Sequence, residues 1–385
     1  MTRYEPWRGL ALWGEAEEKA ALEVLRSRSL FRYYGPDLLH RTDSFERELA
    51  ELLAVPYTVG VSSGTAALAC ALIGLGIPEG AEVIMPAVTF VACANAVVWA
   101  RGVPIFAEVD DTLTLDPAAL AEQITDRTWG VLPVHLNNAA ADLDPILAVA
   151  RQHNLVVVED AAQAAGVRYR GRRAGAIGDA GAFSFQLEKN LTAGEGGAVS
   201  VTDPLAHQRI VRYQDQGGQF TTARGNDRGQ APDAFLGVNL RMTELTAALL
   251  RVQLGRLDPM LAHLRAVATE VRTALPDLHW RRLPDEQGSG GDLTFFLGSR
   301  LDARDRVAAL TAHGIPAHTL YQGQPVYGNP AIRAGRTPWG TRWGTPARCR
   351  TSESLLGRSV TISLGATMTA ADVHAVITAL RGKPG

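Results

Sequence analysis

One lysine stands where the chain could perform amine chemistry. Lys189 follows an apolar, strand-like run that ends at Phe185, and it precedes the glycine-rich segment Gly194–Gly197. A lysine in a dry cleft loses its proton readily and becomes a nucleophile suited to forming a Schiff base. The alternative is an exposed lysine that lies beside Glu188 and has no chemical role.

The composition narrows the search for a reactive amine. Of the 38 basic side chains, only Lys19, Lys189 and Lys383 are lysines. Lys19 and Lys383 lie near the two ends of the sequence, where chains are usually mobile. Any chemistry that needs a buried primary amine therefore has one good candidate, which is Lys189.

Two further patterns lie where apolar runs end. Asp160 follows the run Val156–Val158, and side chains just beyond the carboxyl end of a buried strand lie where ligands bind in open α/β sheets. Asp160 could neutralise a buried cation there, or it could cap a helix.

The segment Ser62–Thr65 joins a strand-like run to a helical run, so its free N–H groups and Gly64 suit an anion. The alternative for this segment is a plain helix cap.

Short apolar runs alternate with helical stretches between about residue 57 and residue 201. Strands that are apolar throughout and separated by helices predict a largely parallel sheet with both faces covered. The seven predicted strands are Tyr57–Val61, Glu82–Met85, Val103–Phe106, Gly130–Val134, Leu155–Val158, Ala182–Phe185 and Ala198–Val201.

The pattern changes in the last third of the chain. A long helical pattern runs from Met242 towards Leu275 and is predicted to link two domains. Strands predicted at Leu293–Leu297 and Val360–Leu364, with helices between and after them, indicate a smaller α+β unit. The predicted fold class is therefore α/β. A large domain over residues 1–255 has a mostly parallel seven-stranded sheet between helices, and a smaller C-terminal α+β domain covers residues 256–385.

The charge balance and the cysteines argue against several classes of protein. A net charge of −2 gives no electrostatic reason to expect nucleic acid or an anionic membrane as a partner. The basic run Arg168–Arg173 is predicted to border a surface turn.

Three cysteines, odd in number and far apart, give neither a disulfide framework nor a zinc-ligand pattern. The apolar stretch Val83–Ala100 is interrupted by polar residues and no signal peptide is visible, so the expected location is the cytoplasm.

These motifs, taken together and in this order, resemble the DegT/DnrJ/StrS family of sugar aminotransferases, which has the aspartate-aminotransferase type of fold. The resemblance runs from about Leu25 to Leu380, which is almost the whole chain. The segments that carry it are Ser63–Leu68, Thr89–Phe90, Glu159–Ala164, Gly178–Phe185, Lys189 with Gly194–Gly197, and Gly237–Met242.

The resemblance implies pyridoxal 5'-phosphate as the cofactor. Lys189 would hold it as a Schiff base, and Asp160 would pair with the nitrogen of its pyridinium ring. A protonated ring nitrogen makes the cofactor an electron sink, and a carboxylate keeps that nitrogen protonated. Gln163 would contact the ring hydroxyl, and Phe90 would lie against the face of the ring. The alternative for Phe90 is an aromatic residue of the core.

The resemblance also implies a phosphate site that two subunits share. Gly64, Thr65 and Ser184 would bind the phosphate within one chain. Asn239 would reach the same phosphate from the second subunit of a homodimer with shared active sites, or it is an ordinary turn residue. A Gly- and Asp-rich stretch, Gly217–Asp233, could form the arm that carries Asn239.

The expected reaction is amino transfer from an amino acid, glutamate or glutamine, to a keto or aldehyde group on a sugar, cyclitol or related biosynthetic intermediate. Both the amino donor and the acceptor are small molecules. The sequence departs from the family at Asn137–Ala140, where an aromatic residue and a glycine are frequent, and at Ala165, where His or Ser is frequent. Both positions are expected near the cleft, so they bear on the substrate rather than on the cofactor.

Three other functions are weighed against amino transfer. Family relatives that catalyse dehydration tend to replace the lysine, whereas this chain keeps Lys189. A desulfurase needs a cysteine on a mobile loop, for which Cys349 is the candidate. A non-catalytic regulator with the same fold is expected to lose at least one of Lys189, Asp160 and Gln163, and all three are present.

Overall fold

A computed structural model of the chain describes residues 2–218, 234–340, 343–344 and 346–382. Its strands are β1 (Tyr57–Val61), β2 (Glu82–Pro86), β3 (Val103–Ala107), β4 (Thr128–Val131), β5 (Val156–Asp160), β6 (Arg168–Tyr169), β7 (Arg172–Arg173), β8 (Ala180–Ser184), β9 (Gly197–Val201), β10 (His279–Trp280), β11 (Leu293–Phe296), β12 (Ala317–His318) and β13 (Ser359–Ile362).

Helices connect most of these strands. They are α1 (Arg8–Ala11), α2 (Glu15–Ser27), α3 (Arg41–Leu53), α4 (Gly64–Gly74), α5 (Ala92–Trp99), α6 (Pro117–Glu122), α7 (Leu143–Gln152), α8 (Pro204–Gln214), α9 (Glu244–Leu254), α10 (Leu257–Ala274), α11 (Arg300–Ala312), α12 (Pro330–Arg333), α13 (Arg350–Gly357) and α14 (Ala370–Arg381). Two 3-10 turns, Leu320–Gly323 and Val326–Gly328, lie between β12 and α12. Within the described residues, no helix is both long and apolar enough to cross a lipid bilayer.

Seven strands form one large sheet in the order β1-β9-β8-β5-β4-β2-β3. Strands β8, β5, β4, β2 and β3 are parallel to their neighbours in that series, whereas β9 is antiparallel to both β1 and β8. All residues of β2, β8 and β9 are buried, because helices cover the sheet and the strands are apolar apart from Glu82, Ser184 and Ser200. The prediction of a mostly parallel seven-stranded sheet between helices is confirmed.

A four-stranded antiparallel sheet follows in the order β10-β11-β13-β12, and α11 packs against it. This is the α+β arrangement that the last third of the sequence predicts. The boundary between residues 255 and 256 falls in the turn between α9 and α10. The division into two domains at that boundary stays a prediction.

The prediction of one long helix from Met242 to Leu275 is wrong, because the chain turns at Gly255 and Arg256. The N–H of Arg256 donates to the carbonyl of Gln253 at 2.9 Å, a tight turn instead of a continuing α-helix. Helix α10 then starts afresh at Leu257. The turn points Arg256 at the N-terminal segment, where its guanidinium binds the carbonyl of Leu12 and the carboxylate of Glu17. Helical periodicity alone does not reveal such a long-range contact.

The basic run at residues 168–173 forms the hairpin β6-β7. Its turn contains Arg170 and Gly171, both with positive φ, so the predicted surface turn is present. Arg173 is not a surface residue, however. It is buried and binds both carboxylate oxygens of Asp258 at 2.7 Å.

Candidate active site

Lys189 lies in the turn that follows β8, as the sequence predicts. Its side chain lines a cavity of about 370 Å³. Burial lowers the pKa of the Lys189 amine below its ordinary value, and the positive charge of Arg8 lowers it further, whereas the carboxylates of Asp160 and Glu188 act in the opposite direction. Lys189 is only partly exposed, and its amine forms no ion pair within the described part of the chain, so the alternative of an exposed lysine beside Glu188 is not observed.

Asp160 is the last residue of β5 and is only 4% exposed. One carboxylate oxygen, Oδ1, accepts from the N–H of Ala162 at 2.9 Å. The other, Oδ2, accepts from the thiol of Cys93 at 2.9 Å, and the same sulfur lies 2.9 Å from Oγ1 of Thr89. These contacts fix the carboxylate at the carboxyl end of the sheet, where its charge acts on the Lys189 amine.

The neighbouring Glu159 has a different task. It is fully buried and accepts from His135 Nε2 at 2.9 Å and from the N–H groups of Gly175, Ile177 and Gly178. Burial alone would raise the pKa of Glu159, but the hydrogen bond and the charge of His135 hold it below its usual value. Glu159 therefore ties β5 to the segment before β8 and so positions Asp160.

Gln163 faces the same region from the turn that follows β5. Its Nε2 donates to the hydroxyl of Tyr321 at 3.0 Å, and its Oε1 accepts from the N–H of Asn137 at 3.3 Å. Tyr321 and Gln322 both have left-handed backbones, with φ of 47° and 56°. Consecutive non-glycine residues in this region are strained, and such strain is typical of functional sites. Tyr321 is a site residue that the sequence did not reveal.

The segment Ser62–Thr65 forms a helix N-terminus next to Ser184. The Ser63 side chain caps α4 by accepting from Ala66 N–H at 3.1 Å. The backbone N–H groups of Gly64 and Thr65 have no acceptor within the described residues. A Cβ at Gly64 would lie 2.7 Å from Cβ of Ser184, so only glycine lets the two segments approach so closely. The result is a cradle of free N–H groups that suits an anion.

Phe90 follows β2, and its side chain is 56% exposed, so the alternative of a core aromatic is wrong. Asn239 is exposed as well. It forms a β-bridge with Asp215, and the carbonyl of its neighbour Leu240 accepts from the N–H of Ser62 at 2.7 Å. Neither Phe90 nor Asn239 lines the cavity of Lys189. Most of the predicted arm, residues 219–233, lies outside the described residues.

The remaining walls of the cavity come from parts of the chain that are distant in sequence. They include Arg8, Asn137, Asn138, Asp292 and His318. Burial lowers the pKa of His318, so its imidazole is neutral near pH 7. Asn137, Asn138 and Ala165, the positions where the sequence departs from the family, all line the cavity. Their expected location near the cleft is confirmed.

Pyridoxal 5'-phosphate fits these features. Its phosphate matches the N-terminus of α4, and its cationic ring nitrogen matches a buried carboxylate, Asp160. Its aldehyde matches an amine of depressed pKa, Lys189, and the face of its ring matches the exposed ring of Phe90. Groups of three or more His, Cys, Asp or Glu side chains able to hold a metal ion are absent from the residues that the structure describes.

Known proteins resemble this chain over nearly its full length. The dTDP-3-amino-3,4,6-trideoxy-alpha-D-glucose transaminase of Streptomyces venezuelae is 38% identical over 83% of this chain and 84% of that protein. The L-glutamine:2-deoxy-scyllo-inosose aminotransferase of Streptomyces fradiae is 36% identical, with 84% and 80% covered. The crystal structure of S. venezuelae DesV in complex with a ketimine intermediate gives a TM-score of 0.84, with 32% identity over 99% of this chain and 98% of that one.

The sequence profile of a known protein family matches residues 13–381 of this chain. That match covers the turn that follows β5 and the Lys189 turn, which both line the cavity, as well as the C-terminal sheet. The chain belongs to the DegT/DnrJ/EryC1/StrS aminotransferase family and is a pyridoxal-phosphate-dependent aminotransferase.

Proposed function

We propose that this protein moves an amino group from glutamate or glutamine to a keto or aldehyde group on a sugar, a cyclitol or a related intermediate. The observation that carries the proposal is an amine of lowered pKa, Lys189, on the wall of a polar cavity and within the electrostatic influence of the buried Asp160. The names of the two transaminases above, one for a dTDP-sugar and one for a cyclitol, support this substrate class.

Different residues at the site have different roles in amino transfer. When bound, pyridoxal phosphate supplies an electron-withdrawing ring that stabilises negative charge at the donor's α-carbon. Asp160 would keep the ring nitrogen protonated, and Gln163, held by Tyr321, would contact the ring hydroxyl. Lys189 would hold the cofactor covalently. Its free amine, whose pKa burial lowers below the ordinary value, would be the base that removes the donor's α-proton and returns a proton.

The phosphate would anchor the cofactor. Gly64, Thr65 and Ser184 would bind it in one chain, and Phe90 would lie against the ring.

We further propose the division into domains at residues 1–255 and 256–385, and a cytoplasmic location. Neither of these two proposals alters the chemistry.

The competing functions find less support. The amine that dehydratase relatives tend to replace is present at Lys189. Cys349, the candidate nucleophile of a desulfurase, is buried in the core, and burial raises the pKa of its thiol to about 12, so the reactive thiolate is disfavoured. A regulator without activity would not be expected to retain Lys189 and Gln163 on the wall of one cavity together with Asp160, whose charge acts on the Lys189 amine.

The function is tested by adding single amino acids to the protein loaded with pyridoxal phosphate. Glutamate or glutamine should convert the absorbance of the pyridoxal form to that of the pyridoxamine form. A panel of keto-sugars and keto-cyclitols should then restore the first spectrum, and the true acceptor should do so fastest. If no amino acid changed the absorbance spectrum of the protein loaded with pyridoxal phosphate, the proposal would be wrong.

A homodimer with shared sites is the second part of the proposal, with Asn239 serving the phosphate held by the partner chain. Asn239 is exposed and lies close to Leu236, whose side chain is 95% exposed, and to the exposed Val238. Exposed apolar residues in one short segment are typical of a contact surface between proteins. An isologous dimer would place Lys189 of one chain beside Asn239 of the other.

Mixing two inactive variants tests the shared site. Lys189→Ala removes the amine, and Asn239→Asp places a like charge beside the phosphate. A mixed dimer has one site with both lesions and one site with neither. Random assortment makes half the dimers mixed, so about a quarter of all sites should regain activity.

Activity is measured after co-expression with two different affinity tags, so that the mixed dimers can be isolated. Each variant purified alone serves as the control and must be close to inactive. If Asn239 acts within its own chain, every site carries one lesion. Isolated heterodimers without activity would therefore rule out sharing.

A further inference from the structure

The cavity of Lys189 contains a second cationic side chain, that of Arg8. Arg8 begins α1 and is only 6% exposed. Its guanidinium forms an ion pair with Asp292, and its Nη1 lies 2.7 Å from the side-chain amide group of Asn138. Its Nε is buried and has no hydrogen-bond partner in the described residues. Buried donors are normally satisfied, so Arg8 retains hydrogen-bonding capacity that its contacts within the described residues do not use.

Arg8 is the only arginine lining this cavity in the described part of the chain. Of the other basic groups there, Lys189 is occupied by the cofactor in the proposed function, and His318 is neutral near pH 7 because burial lowers its pKa. An anionic substrate group that enters the cavity therefore meets one permanent cation. A guanidinium binds a carboxylate through two parallel hydrogen bonds, which suits that task.

The two substrates of a transaminase differ in whether they bring a carboxylate to this cation. The amino donor brings an α-carboxylate next to the carbon that reacts. A sugar or cyclitol acceptor carries no carboxylate on its keto carbon. A buried guanidinium without a counter-ion is strongly destabilised, so Arg8 needs a carboxylate partner in both halves of the reaction.

We propose that Arg8 binds the α-carboxylate of the amino donor and that Asp292 takes its place as counter-ion when the acceptor occupies the cavity. This inference rests on the proposed function, and it adds a donor-recognition residue to it. The ion pair between Arg8 and Asp292 is then the acceptor-ready state of the site.

The backbone around Arg8 is fixed relative to Lys189. The N–H of Gly9 donates to the carbonyl of Lys189 at 3.2 Å. A Cβ at Gly9 would lie 2.9 Å from that carbonyl and 3.0 Å from the carbonyl of Asn190, so α1 sits directly on the Lys189 turn. Asp292 is held from the other side, because its Oδ1 accepts from the N–H of Leu364 at 3.2 Å. A carboxylate exchange therefore needs only side-chain movement.

The test measures binding instead of turnover. The probes are α-methyl-L-glutamate and α-methyl-L-glutamine, whose α-carbon has no proton to remove, so that the reaction stops after binding. Their dissociation constants are read from the absorbance of the protein loaded with pyridoxal phosphate. Arg8→Gln should raise the dissociation constant by about 10- to 100-fold, as expected for the loss of a charge-assisted hydrogen-bonded pair.

Asp292→Asn should have the opposite effect. Removing the competing carboxylate frees Arg8, so the dissociation constant of the same probe should fall, by about threefold or more. Asparagine can still accept the hydrogen bond from Leu364 N–H. Opposite changes in the two variants distinguish donor recognition from a merely structural ion pair, whose two partners would both weaken binding when removed.

Arg173→Gln is the matched control. Arg173 is as buried as Arg8 and also pairs with an aspartate, Asp258, but it does not line the cavity. This variant should bind the probes as the wild type does. Equal affinities in the wild type and Arg8→Gln, or weaker binding in both Arg8→Gln and Asp292→Asn, would overturn the inference. A wild type that binds neither probe and reacts with no amino acid would overturn the proposed function as well, and the two failures are thereby told apart.

Discussion

Replacing Lys189 with alanine is expected to lower the rate of amino transfer by at least about 10³-fold, since a positioned acid–base group contributes 10²- to 10⁴-fold and this residue also holds the cofactor covalently. The fold should be retained, because the Lys189 amine forms no ion pair within the described residues. The measurement is turnover with glutamate or glutamine and the best acceptor, together with the circular dichroism spectrum.

Lys19→Ala is the control for this substitution. Lys19 is exposed on α2 and lies outside the cavity. Its removal should leave turnover and cofactor absorbance unchanged. A Lys189→Ala protein that is folded and turns over within tenfold of the wild-type rate would remove Lys189 from the catalytic account.

Asp160→Asn is expected to lower turnover by roughly 10- to 1000-fold while leaving the fold intact. An opposite charge at contact distance moves a pKa by about 1–3 units, equivalent to roughly 1.4–4 kcal/mol, so its loss lets the ring nitrogen deprotonate and weakens the electron sink. The asparagine oxygen can still accept from Ala162 N–H, which preserves the turn after β5.

Turnover number and the spectrum of the bound cofactor check this result. Asp142→Asn is a suitable control, because Asp142 accepts from the Tyr169 hydroxyl and does not line the cavity of Lys189. An Asp160→Asn protein that binds cofactor and works at the wild-type rate would mean that the carboxylate has another task.

The strands of the large sheet were predictable because their signal is local. Parallel strands buried on both faces are mostly apolar, and the runs Val83–Met85 in β2 and Ala180–Phe183 in β8 show this in the sequence. The predicted ends differ from the observed ends by up to a few residues, as at β4, where the prediction begins at Gly130 and the strand at Thr128. Hydrogen bonds to neighbouring strands, which the sequence does not display, decide those ends.

Lys189 and Asp160 were predictable for a related reason. Asp160 ends one strand and Lys189 follows another strand of the same sheet, and the carboxyl ends of parallel strands meet at one edge. The free N–H groups of Gly64 follow from the strand-to-helix junction in the same way. The roles implied for Gln163, Phe90 and Asn239 came only from the family resemblance, since their own patterns are equally compatible with turn or core residues.

The residues that sequence patterns missed make contacts across long distances in the chain. Tyr321 bonds to Gln163 from 158 residues away, and Arg8 pairs with Asp292 from 284 residues away. Cys93 reaches Asp160 across 67 residues. No periodicity or spacing encodes such pairs, because they depend on how separate elements pack together. Asn137 is an exception, because its departure from the family pattern already predicts a position near the cavity.

Borohydride reduction tests the covalent attachment of the cofactor to Lys189 most directly. Reducing the protein loaded with pyridoxal phosphate fixes the cofactor to the lysine that holds it, and mass spectrometry of the digested protein locates the modified peptide. The only other lysines in the sequence are Lys19 and Lys383, the latter outside the described residues. We expect one modified peptide, containing Lys189. A modified peptide containing Lys19 or Lys383 instead, or no modified peptide from a fully loaded protein, would contradict the attachment of the cofactor to Lys189.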